Sequence, residues 1–480
     1  MTNQHKLPHP LVALLPIVVL VLLVATAVYL FGGDALNGGS QMALLLATAF
    51  CLIIGKFTTN FHWTNFEKAL HKNIKNISTA LLILLVIGAL SGTWMMSGVV
   101  PMFIDYGLKI IRPEIFLISA AAICAIVSVV TGSSWTTVAT IGIALMGIGR
   151  AQGFSDGWIA GAIISGAYFG DKISPLSDTT ILASSVSGTP LFTHIRYMMF
   201  TTVPSMIITL IVFAIAGLFN TSISSADVTL YSQSLETHFN ISPWLLIVPA
   251  VTIVLIAKRV PPLVTLFSSM LLAAIFACFF QKENLQLIAG GNTTADLVKG
   301  AIMSCYGSTS LDTGNPEINS LIATRGMQGM LYTVWLIICA TCFGAAMSAT
   351  GMIESITQFL VKKIRNTAGL VGATVSTGLL ANLTMGDQYL SLILTGNMYK
   401  DLYEQRGYES RLLSRSMEDS ATVTSVLIPW NSCGMTQSTV LGVSTWVYFP
   451  YCIFNYISPL MSITIAGLGY KIFRKKPEVQ

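Results

Sequence analysis

Eleven residues, GDKISPLSDTT from Gly170 to Thr180, place two carboxylates, a lysine and a proline inside one of the most apolar regions of the chain. A charged side chain at the centre of a membrane helix costs about 2.5–3.5 kcal/mol on insertion scales. An interior proline costs about 3 kcal/mol more. A segment that carries both is stable only where protein or a water-filled cavity surrounds it. Asp171, Ser174, Ser177 and Asp178 then offer hydroxyls, carboxylates and freed carbonyls, the hard oxygen ligands that suit a small cation such as Na+. The bland alternative is a structural kink in which one carboxylate pairs with Lys172.

Other polar groups join this set. TGSSWTT (131–137) is a small, hydroxyl-rich tip between two apolar stretches, and Ser133 and Ser134 can lend oxygens to an ion or cap a helix. NLTMGDQ (382–388) is a second such tip and carries Thr384 and Asp387. A second proline break, Pro429-Trp430-Asn431-Ser432, has no carboxylate of its own. The acids of the first half thus sit at the break and that of the second half at the tip. Glu418 and Asp419, beside Arg415, read as a solvated helix N-terminus.

These groups need helices to hold them. The chain has 480 residues, 53% of them hydrophobic and 10% charged, whereas soluble domains carry about 25% charged residues. This is an all-α polytopic membrane protein. Spans of about 20 apolar residues fall near 10–31, 40–56, 77–97, 156–190 (broken), 196–219, 243–258, 261–281, 327–350, 416–442 (broken) and 443–470. The stretches 113–149 and 367–398 each fold back at a polar tip and read as re-entrant hairpins, with two ordinary helices as the alternative. Segments 99–112 and 352–365 read as interfacial arm helices. Lysine and arginine clusters at 56–75, 258–259, 400–415 and 471–476 all fall in the cytoplasm if both termini lie inside.

Residues 98–131 align without gaps on 351–384, with Lys109/Lys362, Ile111/Ile364, Arg112/Arg365 and Thr131/Thr384 among the identities. Pro175 and Pro429 fall one residue off the same register. Five crossings per half is an odd number, so the expected fold is two inverted repeats, each with five transmembrane helices (one broken) and one re-entrant hairpin. Paired broken helices in such repeats place a site at the midplane. The expected segments are a cytoplasmic N-terminus (1–9), repeat 1 (10–219), an extracytoplasmic linker (220–242), repeat 2 (243–470) and a basic cytoplasmic tail (471–480).

Several function classes lack support. No Walker A, HExxH, GxSxG or CxxCH motif occurs, so neither enzyme chemistry nor a cofactor is indicated. The eight cysteines read as small buried hydrophobes, and none of the six histidines falls within an apolar span. No nucleic-acid partner is implied; the partners are the lipid bilayer and the transported ions.

TGSSWTT followed some 40 residues later by GDKISPLSDTT resembles the NhaC-type Na+/H+ antiporter family of the ion-transporter superfamily. The loop SCYGSTSLDTGNPEINSLIATRGMQGM is similar to that family as well. The resemblance spans roughly residues 10–465 and implies exchange of Na+ (or Li+) for H+ across the cell membrane. It also implies a rigid transport unit moving against a scaffold, often in a homodimer. Relatives include malate/lactate exchangers, and Lys172, Asn431 and the two tips could serve an organic anion instead.

Desolvation makes a carboxylate hold its proton, and a bound cation favours the ionised form, so Na+ and H+ compete for one site. Asp178 is the first candidate for the exchanged carboxylate, with Asp171 and Asp387 behind it. Ser133, Ser134, Ser174 and Ser177 would be ligands to Na+ at Asp178. Thr384, Asn431 and Ser432 complete the candidate ion-binding set.

Overall fold

Prolines and hydroxyl side chains decide where the long apolar segments stop. The computed structural model describes residues 7–59, 61–219 and 225–475. Residues 1–6 of the expected N-terminal segment, 220–224 of the linker and 476–480 of the tail lie outside them. Among the described residues the chain is helical, with only isolated bridges such as Thr309 with Thr324 as extended pairing. Eight helices are long and apolar enough to cross a membrane, or ten if each of two bent pairs counts as one span. Their outward faces are apolar, as Leu22, Ile211 and Phe219 show. An apolar exterior is what a lipid solvent requires.

The helices at 10–31, 39–58, 191–219, 262–280 and 331–349 match the expected spans closely. The segment expected at 77–97 is the far end of one helix, Trp63–Met96, whose first turns carry the exposed lysines 68 and 75. The last expected span is bent by 54° between Thr445–Tyr451 and Ile453–Gly467. Short amphipathic helices occupy Val99–Ile110 and Met352–Lys362, where arm helices are expected. The linker forms a helix, Ser225–His238, tied to the first arm by Lys109–Glu236 and by Ser232 donating to Asp105 at 2.5 Å.

Both expected hairpins fold back at their tips. The first runs down Phe116–Thr131 and returns from Ser134 to Ala151 through a π-helical turn at 138–142. Its base is closed by Gln152 Nε2 donating to the Ile111 carbonyl at 2.6 Å. The second uses Thr367–Met385 and Gln388–Gln405. Its base is closed by Arg406 donating to the Ile364 carbonyl at 3.2 Å. The descending arms, from Pro113 and Thr367, are themselves long and apolar enough to cross a membrane.

The two broken helices run antiparallel. The first comprises Asp156–Ile173 and Asp178–Ser187; the second runs from Ser410 to Leu427 and resumes at Ser432–Leu441. Thr189, after the first, donates to Ser410 at the start of the second at 2.9 Å. Trp158, near the start of the first, packs on Tyr451 beyond the end of the second, with ring centroids 4.5 Å apart. The second broken helix thus begins at Ser410 rather than at residue 416, and its turn at 418–422 is π-helical. Such turns leave backbone carbonyls free, and they concentrate at functional sites. Here side-chain amides collect them: Asn382 donates to the Ala421 carbonyl at 2.7 Å, and Asn455 to the Val423 carbonyl at 2.8 Å.

Each hairpin tip is pressed onto the break of its own half by a left-handed glycine. Gly132 (φ +67) lies so close to the first break that a Cβ there would meet the Leu176 backbone at 2.6 Å. Gly386 (φ +65) turns its carbonyl to accept the Ser432 N–H at 2.7 Å. Gly132→Ala therefore combines backbone strain of about 1–2 kcal/mol with displacement of the break. Gly290→Ala has a similar φ of +76 and open space around it. Thermal unfolding in detergent is expected to lower the midpoint more for Gly132→Ala than for Gly290→Ala. Equal shifts would show that the tip does not bear on the break.

Candidate functional site

At the first break the backbone opens at Ser174 and restarts at Ser177, both in extended conformation. Pro175 has no N–H to continue the helix. Ser174 Oγ donates to the Val129 carbonyl of the hairpin at 2.7 Å, and Ser177 Oγ caps Thr180 N. Thr180 Oγ1 lies 3.3 Å and 3.0 Å from the freed carbonyls of Asp171 and Lys172. Hydroxyls therefore hold the break open without leaving its backbone unbonded.

Asp171 is buried at the meeting point of tip and break. Its Oδ2 accepts from Ser134 N at 3.0 Å and Ser134 Oγ at 2.7 Å, and its Oδ1 accepts from Ser177 Oγ at 2.6 Å. Ser177 Oγ also lies 3.0 Å from Thr179 Oγ1. The structure thus brings Asp171, Ser134 and Ser177 together. Ser133 stands apart as the cap of the returning arm, bonded to Thr136, and Ser174 serves the backbone. Asp178 occupies the first turn of the restarted helix and is exposed, in line with Ile181 and Ser185 on the same face.

The second half mirrors this contact with the roles exchanged. Asp387, buried at the tip, accepts from Tyr389 N and Leu390 N at 2.9 Å and 3.0 Å, and from Ser432 Oγ at the break at 3.0 Å. Asn431 caps Cys433 N and donates to the Asn382 carbonyl. Thr384 bonds back to its own helix at Leu380, so it contributes packing rather than a free oxygen. Trp430 is buried with its indole N–H on the Leu383 carbonyl at 2.8 Å. The two centres adjoin: Tyr389 lies within electrostatic reach of Asp178, Asp171 and Asp387 together, and Cys433 neighbours Trp135, Tyr168 and Asp387.

Four readings of the sequence are corrected, one of them the alternative pairing of Lys172. Glu418 and Asp419 are not at a solvated helix N-terminus but fully buried in the π-helical turn, two turns into the helix. The second broken helix therefore carries acids after all. Lys172 pairs with neither Asp171 nor Asp178 but with Asp419 across the two halves. Ser458 accepts from Lys172 at 2.8 Å and donates to Asp419 at 3.1 Å, while Thr201 donates to Asp419 at 3.2 Å. Arg415, counted among the loop cations, is buried behind this pair, 3.9 Å from Asp419 and 4.6 Å over the Tyr197 ring. Finally, His194 is buried inside the helix Leu191–Phe219 and bonds Ser414 at 2.8 Å. A short apolar run before His194 hid it, because the helix starts five residues earlier than expected at 196. The eight cysteines are all free, five of them buried.

A polytopic helical membrane protein with two antiparallel broken helices that carry buried charges and face two polar hairpin tips belongs among the membrane transport proteins. The model of the Na+/H+ antiporter family matches residues 166–470, and the chain belongs to that family. It is similar to the Na+/H+ antiporter NhaC of Alkalihalophilus pseudofirmus, with 34% identity over 91% of this chain and 96% of that protein. It is 35% identical to the NhaC of Bacillus subtilis, over 97% of this chain and 99% of that one. The Bacillus subtilis malate-2H+/Na+-lactate antiporter is also 35% identical, over 91% of each chain. These relatives are transporters.

The Lys172–Asp419 pair carries a stability prediction. Removing one partner of a buried ion pair costs about 3–5 kcal/mol, whereas an apolar replacement of both is often neutral. Lys172→Met is expected to lower the unfolding midpoint in detergent by several degrees. Lys172→Met with Asp419→Leu and Arg415→Met, which removes the whole buried charge set, is expected to recover most of that loss. A triple variant no more stable than the single one would show that the loss does not come from stranded charge.

Proposed function

We propose that the chain is a secondary transporter that exchanges Na+ (or Li+) for H+ across the cell membrane by alternating access, with both termini cytoplasmic. Membership of the Na+/H+ antiporter family supports the exchange. The antiparallel broken helices and opposed hairpins support two inverted repeats around a midplane site. In this reading the hairpins enter the membrane and return, and the unit of tips and breaks moves against the remaining helices, in a homodimer.

The observation that carries the site is Asp171: a buried carboxylate gripped at once by a hairpin-tip hydroxyl and a helix-break hydroxyl. Hydroxyls that donate to a carboxylate keep lone pairs, and by rotating they become ligands to a cation seated beside it. Asp171, Ser134 and Ser177 then form the Na+ position. Geometry favours Asp171 over Asp178 for this role, because Asp178 is exposed and stands where an arriving ion would first meet negative charge. Asp387 with Ser432 is the corresponding pocket of the second half. The organic-anion alternative gains little, since Lys172 is engaged by Asp419 and Ser458, and Asn431 by Cys433 and Asn382.

The test is Na+-driven proton movement in proteoliposomes, read with a pH-sensitive dye. Asp171→Asn is expected to abolish it. Asp178→Asn is expected to raise the Na+ concentration for half-maximal rate by about tenfold while the maximal rate is kept. Full activity in Asp171→Asn would remove Asp171 from the site, and loss of the maximal rate in Asp178→Asn would return Asp178 to the central role.

A further inference from the structure

One buried carboxylate has no place in this account. Glu418 is fully buried, and neither of its oxygens has a hydrogen-bond partner. Among the described residues every other buried carboxylate accepts at least one hydrogen bond. The hydroxyls of Thr179 and Thr422 lie beside it, and Thr422 Oγ1 is itself unpartnered. An isolated buried carboxylate costs several kcal/mol while it is charged. A proton removes that cost and gives the group an O–H to donate to a neighbouring hydroxyl.

The surroundings connect this group to the Na+ position. Asp171 Oδ1 accepts from Ser177 Oγ at 2.6 Å, Ser177 Oγ lies 3.0 Å from Thr179 Oγ1, and Thr179 faces Glu418. Thr179 also adjoins Asp178, which lies on the exposed face of the restarted helix. The charged groups around Glu418 are Asp171 and Lys172 from the first broken helix, and Arg415 and Asp419 from its own. Lys172 and Arg415 are both directed at Asp419. The packed arm Thr367–Met385 has no ionisable side chain. The arm Gln388–Gln405 turns Tyr399 and Tyr403 inward, bonded to Thr377 and Thr374. Tyr456 is the ionisable residue of Ile453–Gly467, and its hydroxyl is bonded to the Phe449 carbonyl.

We propose that Glu418 is the proton-carrying carboxylate of the exchange, at a position distinct from the Na+ position at Asp171 and coupled to it through Ser177 and Thr179. The proposal rests on the Na+/H+ exchange reading. A Na+ ion seated at Asp171 repels the proton on Glu418, which passes to water as hydronium and leaves the carboxylate ionised. Release of Na+ lets Glu418 take a proton back from the opposite side. One positive charge enters the core as another leaves.

Proteoliposomes carrying the full chain separate the two roles. Glu418→Gln mimics the protonated form in size and hydrogen bonding. It is expected to retain counterflow of radiolabelled Na+ against Na+ while Na+-driven proton movement falls by about tenfold or more. Asp171→Asn is expected to lose both. Glu418→Asp keeps a titratable group and is expected to retain proton movement with a displaced pH midpoint. Wild-type proton movement and an unchanged pH profile in Glu418→Gln would overturn the proposal, as would loss of Na+ counterflow in that variant in step with proton movement. Should Glu418→Gln fail to fold, an unchanged midpoint in Glu418→Asp overturns it equally. Absence of Na+-driven proton movement in the wild type would instead sink the exchange reading itself.

Discussion

The ion pair between Lys172 and Asp419 ties the two halves of this molecule together. It places a cation from the first broken helix against an anion from the second, with Ser458 and Thr201 filling the remaining hydrogen-bond positions. Buried this deeply, Lys172 is tolerable only beside Asp419, which Arg415 also neighbours at 3.9 Å. The register of the two helices is therefore fixed: a slide that parted Lys172 from Asp419 would strand the lysine. The first break and the π-helical turn both adjoin this pair.

A second constraint acts within each half. Both breaks expose backbone groups that lipid could not satisfy. Ser174, Ser177 and Thr180 satisfy them in the first half, and Asn431, Tyr448 and the Gly386 carbonyl in the second. Each junction also holds a carboxylate, Asp171 from a break and Asp387 from a tip, and in the first half Ser177 serves both backbone and carboxylate.

Much of this was legible in the sequence. Proline and charge inside an apolar run marked the first break, and paired glycine-containing tips marked both hairpins. The repeat register brought Pro429 into view without any carboxylate nearby. What stayed hidden was tertiary. Glu418 and Asp419 follow Arg411 and Arg415 so closely that the run SRSMEDSATVTS reads as the end of a basic loop. A usable signal was present: Leu412, Leu413 and Met417 continue a helical apolar face through it, and all three are buried. The partner of Lys172 could not be read at all, because it lies 247 positions away. The sequence reading puts Asp178 ahead of Asp171, and only burial and hydrogen bonding, which no sequence pattern shows, separate them the other way.

The seating of the tip glycines on the breaks bears on how an ion is held. Gly132 and Gly386 seat each tip against its break, and Ser134 and Ser177 pack on the Asp171 carboxylate. In the exchange reading proposed above, no loop has to become ordered when the site fills, so binding forfeits little conformational entropy. A small ion that gains only a few oxygen contacts can then be held and released without a large free-energy swing. Discrimination between ions falls to the fixed separation of those oxygens, a property of the helix packing and not of any closing lid.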